Sequence, residues 1–481
     1  MNTPIDAAKS FSTRLPIGQI DECFALQAAT ALRLRQSTRA ERIAKIKRLK
    51  EVVLAHKDEI LAAGMADFAK PAAEVELTEI LPVIAEANDA IRNLGAWMRP
   101  KKVWPSRMML GTFGYTQYEP KGRVLIISPW NYPVNLTLGP LVSALAAGNT
   151  AFIKTSEMTP NLSLVISKII AAAFTPDEVV VFEGDANVAQ GLLALPFDHI
   201  FFTGSPAIGK IVMAAAAKHL TSVTLELGGK SPTIVDESAD LKMAAQNILW
   251  AKFTNNGQTC IAPDHIYVHA KVKDAFVQHC IETLESVYGQ GQAQKDSPYL
   301  ARIVNEHHAR RVQKLLIDAQ TRGARVLTGG DIDETQRYIA PTLLDNIPQD
   351  AEIMQEEIFG PLLPIISFDN LDHVITRINA APKPLALYVW SKTEAHIKQV
   401  MQQTTSGGAC INHCVVQFLH GNLPFGGVNN SGIGSAHGYH GFLAFSHERA
   451  VVRSWIMLAR MFYPPYSDLT RKLIKLFIKT V

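Results

Sequence analysis

Hydrophobic residues in the first hundred positions recur with the 3.6-residue period of a helix. Ile43, Ile46, Leu49, Val52 and Val53 mark one stripe, with Arg and Lys between them. Thr38 and Glu41 stand three apart just before this run. That is a capping-box signature, in which each side chain satisfies the other's backbone N–H at a helix start. The pattern changes over 101–121. Pro100, Pro105, Gly111 and Gly114 break helices, whereas Thr112, Phe113, Tyr115, Thr116 and Tyr118 favour extended chain. This predicts an exposed strand arm, a candidate subunit contact. From 123 to 227, apolar strand-like runs at 124–127, 150–153, 179–182, 200–202 and 223–227 alternate with helix-like stretches around 136–146, 161–173, 186–194 and 207–218. Such alternation predicts an α/β fold with a parallel sheet covered on both faces. Sheets of this kind bind nucleotides at the carboxyl ends of their strands. A second α/β region follows from 228 to about 430, with no convincing internal repeat or low-complexity tract.

Composition narrows the class. A chain of 481 residues exceeds one simple core and predicts two or more domains. Its net charge of +3 is nearly balanced, so bulk charge does not point to nucleic acid. Five scattered cysteines argue against a disulfide framework and fit a reducing compartment, which predicts a cytoplasmic location. The N-terminus lacks a basic stretch followed by an apolar block, so no secretory signal is expected. No apolar run reaches the roughly 18 residues of a spanning helix.

Candidate chemistry concentrates at Cys260, which ends the run Phe253-Thr-Asn-Asn-Gly-Gln-Thr-Cys260. A free cysteine taken alone is ordinarily a small buried hydrophobe. Here a small, polar, glycine-containing approach leaves room for a substrate and backbone N–H groups for developing charge, as a catalytic thiol requires. Glu226 lies 34 residues upstream, after the strand-like Ser222-Val-Thr-Leu and before Gly228-Gly229. Desolvation at the end of an apolar strand raises a carboxyl pKa towards the range of a general base. Thiol and base together suggest covalent catalysis. A Gly-x-Gly-x-x-Gly fingerprint is absent: Gly432-Ile-Gly434 and Gly438 have the wrong spacing. Gly204-Ser-Pro-Ala-Ile-Gly209 does follow a strand and open a helix, where a pyrophosphate is favoured.

At these residues the chain resembles the NAD(P)-dependent aldehyde dehydrogenase superfamily. The matching pieces are Ser128-Pro-Trp-Asn-Tyr-Pro133, Ala146-Ala-Gly-Asn-Thr150, Lys154-Thr-Ser-Glu157, Phe202-Thr-Gly-Ser205, Glu226-Leu-Gly-Gly229, the Cys260 run, Glu356-Glu-Ile-Phe-Gly-Pro361 and Pro424-Phe-Gly-Gly427. They span most of the chain in the family's order. The resemblance implies a Rossmann-type NAD(P)-binding domain (1–106 and 121–227), a catalytic α/β domain (228–430), and an oligomerisation arm and tail (107–120 and 441–481). It implies that Cys260 attacks an aldehyde, that Asn131 and the Cys260 N–H hold the oxyanion, and that Glu226 activates water to release the acid from a thioester. For the cofactor it implies Lys154 and Glu157 at the adenosine ribose, and Trp130 with the turn of Thr203, Gly204, Ser205 and Gly209 near the pyrophosphate. Glu357 would bind the nicotinamide ribose and Phe359 support the nicotinamide. A carboxylate on ribose hydroxyls repels a 2′-phosphate, so Glu157 favours NAD. Thr155 replaces a proline usual in the family, which keeps NADP open.

The C-terminal half resembles the class 3 and coniferyl-aldehyde branch in His420-Gly-Asn-Leu-Pro-Phe-Gly-Gly-Val-Asn-Asn-Ser-Gly-Ile-Gly434, Phe445-Ser-His447 and Phe462-Tyr-Pro-Pro-Tyr466, with Asn429 where the branch often has glycine. This implies fatty, medium-chain or aromatic aldehyde substrates and a homodimer. Residues 469–481 read as a short basic amphipathic helix. Leu469, Leu473, Leu476 and Phe477 lie opposite Arg471, Lys472, Lys475 and Lys479. It is expected to pack on protein, with peripheral membrane contact as the second reading. Cys410, His413 and Cys414 could imitate a metal site, but strand alternation would put His413 opposite the two cysteines, and a fourth ligand is lacking, so no metal is expected. His307 and His308 read as a solvated helix face. Two alternatives compete with aldehyde oxidation. A CoA-acylating enzyme is disfavoured because such relatives commonly lack the Glu226 carboxylate. A non-catalytic NAD-binding scaffold would have no need of Cys260, Glu226 and Asn131 together.

Overall fold

The computed structural model describes residues 17–106, 109–456, 460 and 462–480. The parts of the predicted N-terminal segment at 1–16, of the arm at 107 and 108, and of the tail at 457–459, 461 and 481 lie outside the described residues. The predicted capping box is present: Thr38 N donates to Glu41 Oε2 at 2.6 Å, and Glu41 N donates to Thr38 Oγ1 at 3.3 Å. It opens the helix Arg39–Ala55, whose Ile46, Leu49 and Val53 are fully buried.

Helices then cover a six-stranded sheet. Its parallel strands lie in the spatial order Ser222–Glu226, His199–Thr203, Arg123–Ile127, Thr150–Lys154 and Val179–Phe182, and Gly432–Ile433 adds an antiparallel edge beside Ser222–Glu226. Successive side chains of a strand face opposite sides. Val124 and Ile126 accordingly enter one core, and Leu125 and Ile127 enter another. Burial on both faces explains why these strands read as continuous apolar runs rather than alternating ones.

A second sheet has seven strands, in the order Arg325–Thr328, Thr342–Asp345, Leu362–Phe368, His265–His269, Pro232–Val235, Ala386–Trp390 and Gly408–Ile411. All but the first are parallel to their neighbours. The predicted arm is a strand, Thr112–Pro120. It pairs antiparallel along its whole length with Ser446–Ser454 and with Lys101–Val103 at its other edge. The tail Asp468–Thr480 is helical, with Leu469 and Leu476 exposed and the Phe477 ring 5.7 Å from that of Phe462. Among the described residues no helix is long and apolar enough to cross a membrane.

Candidate active site

The Cys260 loop begins where the helix Leu241–Phe253 ends. Asn255 and Asn256 both adopt left-handed backbone, with φ of 52°, and both are buried. Asparagine tolerates this conformation better than most residues. Gly257 follows at φ 78°, and a Cβ there would collide with the Gly360 carbonyl. The polar, glycine-containing run thus turns the chain tightly against the 356–361 segment. Gln258 then locks the loop. Its Nε2 donates to the carbonyls of Asn255 (2.9 Å) and Arg302 (3.1 Å), and its Oε1 accepts from Val304 N at 2.8 Å. Cys260 emerges half-buried. Burial pushes its thiol up to about 12, and the carboxylates of Glu357 and Glu226 act in the same direction. The N–H groups of Cys260 and Ile261 oppose them by stabilising the thiolate.

Glu226 ends its strand beside Thr203, and Gly204 N donates to its carbonyl at 3.0 Å. Its side chain is buried, and neither carboxylate oxygen has a hydrogen-bond partner. Burial alone therefore drives its pKa well above the ordinary carboxyl value, in the expected direction. Asn131 follows the strand Arg123–Ile127 and is buried. Its Nδ2 donates to the Gln258 carbonyl at 3.0 Å, which places its amide at the Cys260 loop.

Cys260 forms part of the wall of two cavities. One, of about 120 Å³, is almost wholly apolar, with Leu77, Tyr132, Leu136, Trp250 and Phe418 around it. The other, of about 40 Å³, is bounded by Glu226, Thr203, Phe425 and His437. The thiol thus meets an apolar approach on one side and an unpartnered carboxyl on the other.

The candidate cofactor residues gather at the carboxyl ends of the six-stranded sheet. Lys154 Nζ lies 2.8 Å from Glu157 Oε2. Thr155 N donates to the Phe182 carbonyl at 3.3 Å, a ladder bond that proline lacks, and the buried Thr155 Oγ1 has no partner. Ser205 caps the helix Pro206–Ala217 by accepting from Ile208 N at 3.4 Å. Gly209 packs that helix on the sheet: a Cβ there would lie 2.7 Å from Leu227 Cδ2. The Glu357 carboxylate fills the space that a Gly228 Cβ would occupy, and burial pushes its pKa up to about 8. Phe359, at φ 43°, lies roughly perpendicular to Trp130, with ring centres 5.2 Å apart.

Several residues at the site had escaped the sequence reading. Arg311 donates to the carbonyls of Glu357, Ile358 and Phe359 and so pins that segment. His308 is not on a solvated face. Its ring lies 4.9 Å from Trp130, and burial holds it near 4, hence neutral. Its adjacency to His307 at a helix start concealed this contact. Lys70, Glu74 and Glu79 approach Asn131 and the Cys260 loop from a segment that carries no motif. Cys410 and Cys414 do share one side, as expected, but not by strand alternation. The strand stops at Ile411, and Asn412 and Val415 have φ of 53° and 59°. Both cysteines join one apolar core, and among the described residues no group of His, Cys, Asp and Glu is arranged to hold a metal.

The chain belongs to the aldehyde dehydrogenase family, whose sequence profile, "Aldehyde dehydrogenase family", matches residues 18–451. It is 43% identical over 435 residues to the 4,4'-diaponeurosporen-aldehyde dehydrogenase of Staphylococcus aureus, covering 90% of this chain and 94% of that one. It is 40% identical over 457 residues to mouse aldehyde dehydrogenase family 3 member A2, covering 93% of each. A solved structure described as the substrate-bound state of Staphylococcus aureus AldH superposes with a TM-score of 0.91 at 41% identity, covering 95% of this chain and 99% of that one. The resemblance to the class 3 branch is therefore supported along the chain.

Proposed function

We propose that the protein oxidises medium- or long-chain aliphatic or aromatic aldehydes to carboxylic acids, with Cys260 as nucleophile, Asn131 as oxyanion donor and Glu226 as general base. One observation carries this reading: the thiol joins an apolar cavity to a buried carboxyl with no hydrogen-bond partner. An apolar approach favours an aldehyde with a hydrocarbon or ring body.

The resting thiol is neutral, so attack begins with transfer of its proton to Glu226. Sulfur bonds to the aldehyde carbon, and the carbonyl electron pair moves to oxygen. The Asn131 amide and the Cys260 N–H receive that charge. The nicotinamide cofactor, when bound, supplies the hydride acceptor that makes the thioester from this adduct. Glu226 releases that proton to solvent and then takes another from water. The resulting hydroxide attacks the thioester carbon, the C–S bond breaks with its electron pair on sulfur, and sulfur regains a proton from Glu226. Lys154, Glu157, the turn of Thr203, Gly204, Ser205 and Gly209, Trp130, Glu357 and Phe359 fit an adenine dinucleotide. Its pyrophosphate would meet a capped helix start. The exposed Glu157 carboxylate favours NAD over NADP. We assign 1–106 and 121–227 to cofactor binding and 228–430 to catalysis. A homodimer would use the 107–120 and 441–481 segments. All five cysteines are free, which supports a reducing, cytoplasmic setting. In that setting the tail helix would offer its apolar face to protein or to a membrane surface.

The test is NADH or NADPH formation by wild type and Cys260→Ala with hexanal, dodecanal and benzaldehyde. The expected result is turnover that prefers NAD, rises from short to long or aromatic aldehydes, and vanishes in the variant. Turnover retained by Cys260→Ala would overturn the nucleophile assignment.

A further inference from the structure

The segment from Lys70 to Glu79 places three charged side chains behind the site, and the mechanism above uses none of them. Lys70 is 1% exposed, an unusual position for an ammonium group. Its Nζ lies 4.8 Å from the centre of the Phe68 ring and 4.6 Å from that of Tyr132. It donates to Glu79 Oε1 at 3.3 Å and to the backbone carbonyl of Asn131 at 3.3 Å. The other Glu79 oxygen accepts from Val134 N and Asn135 N, each at 3.0 Å, where the helix after Asn131 begins. Glu79 belongs to a π-helical turn, Glu76–Ile80, of the kind that often marks a functional site. The turn also directs Leu77 and Thr78 into the apolar cavity.

Asn131 is thus gripped on both sides. Its carbonyl accepts from Lys70 and, at 2.8 Å, from Asn255 Nδ2, while its side-chain amide donates to Gln258. Glu74 holds the same loop by accepting from Asn255 N at 2.8 Å. A core needing only volume would fill the Lys70 position with an apolar side chain, because burying a charge costs more than burying a methylene chain. A cation there is explained by what it holds.

We propose that Lys70, anchored by Glu79, is a positioning residue that fixes the Asn131 backbone so that its amide meets the substrate oxyanion. This rests on the oxyanion role of Asn131. The pair never touches substrate. Its effect arises because a donor displaced by a fraction of an ångström loses much of its transition-state stabilisation.

The test is a double-mutant cycle in the full-length protein. Lys70→Met, Asn131→Ala and their combination are compared with wild type for aldehyde kcat/KM, NAD affinity by fluorescence, and Cys260 alkylation by iodoacetamide, which forms no oxyanion. Lys70→Met leaves a buried Glu79 without its cation and can fail to fold. Lys70→Met/Glu79→Gln removes both charges while keeping an acceptor for Val134 and Asn135, and it enters the same cycle. The expected result is a fall in kcat/KM of about tenfold or more, NAD affinity and alkylation unchanged, and no further loss in the Asn131→Ala background. Losses that multiply with that of Asn131→Ala, alkylation slowed in parallel, or a wild-type kcat/KM would overturn the proposal. If Asn131→Ala itself keeps wild-type kcat/KM, the oxyanion assignment fails and the positioning role falls with it. If Asn131→Ala is impaired while the Lys70 variants are not, only the positioning role fails.

Discussion

Glu79 and Glu226 are both buried carboxyls near the Cys260 loop, and they are built in opposite ways. Glu79 has a lysine and two backbone N–H groups on its oxygens, whereas Glu226 has no hydrogen-bond partner. Burial pushes both upward, but only at Glu79 do neighbouring donors pull back. A carboxylate whose lone pairs are occupied is a strut. One left without partners is ready to exchange a proton. Burial by itself does not separate the two roles, and the hydrogen-bond inventory does.

The largest effect should come from removing the proposed base. Glu226→Gln should lower steady-state turnover by about a hundredfold or more. Thiol and water both lose their base, but water is the weaker nucleophile and loses more, so rapid mixing should reveal a slowed early phase of NADH formation, close to one per site, followed by a still slower phase. An equal loss in both phases would instead place Glu226 in thiol activation alone. Next, Asn131→Ala should cost on the order of 3 kcal/mol in the barrier, about a hundredfold in kcat/KM, with NAD affinity preserved. The pH profile sharpens the comparison. Below its raised pKa Glu226 carries a proton and accepts none, so kcat should climb as pH rises through that value, and this limb should disappear in Glu226→Gln. Glu79→Gln should leave the limb in place while lowering the thermal midpoint, because Lys70 loses its counter-charge. The smallest effect belongs to the cofactor edge. Glu157→Gln should narrow the preference for NAD over NADP by about tenfold, read as a ratio of kcat/KM values.

The five parallel strands of the six-stranded sheet, the capping box at Thr38 and the helices between strands were legible because apolar period and cap chemistry are local, whereas the antiparallel edge Gly432–Ile433 was not. Cys260 and Glu226 were legible for a related reason: each closes a stretch whose composition is unusual by itself. The raised pKa of Glu226 was also within reach, since an apolar strand leading into a carboxyl implies desolvation. Lys70, Glu74, Glu79 and Gln258 were not legible. Their partners are distant in sequence, as with the 61-residue separation of Lys70 and Asn131, and a lysine among alanines and glutamates looks like a surface residue. His308 shows the same limit, because its burial depends on the Trp130 ring. Around Cys410 the two cysteines share a side as expected, but the backbone does not stay extended: the strand stops short, at left-handed residues that the sequence pattern did not announce.

The central claim is that Glu226 acts on a thioester carried by Cys260. Glu226→Gln, mixed with NAD and dodecanal and quenched in acid, can be digested and weighed by mass spectrometry. The account predicts that the Cys260 peptide gains the mass of a dodecanoyl group only when NAD is present. An unmodified Cys260 peptide, recovered while NADH is still being formed, would contradict it.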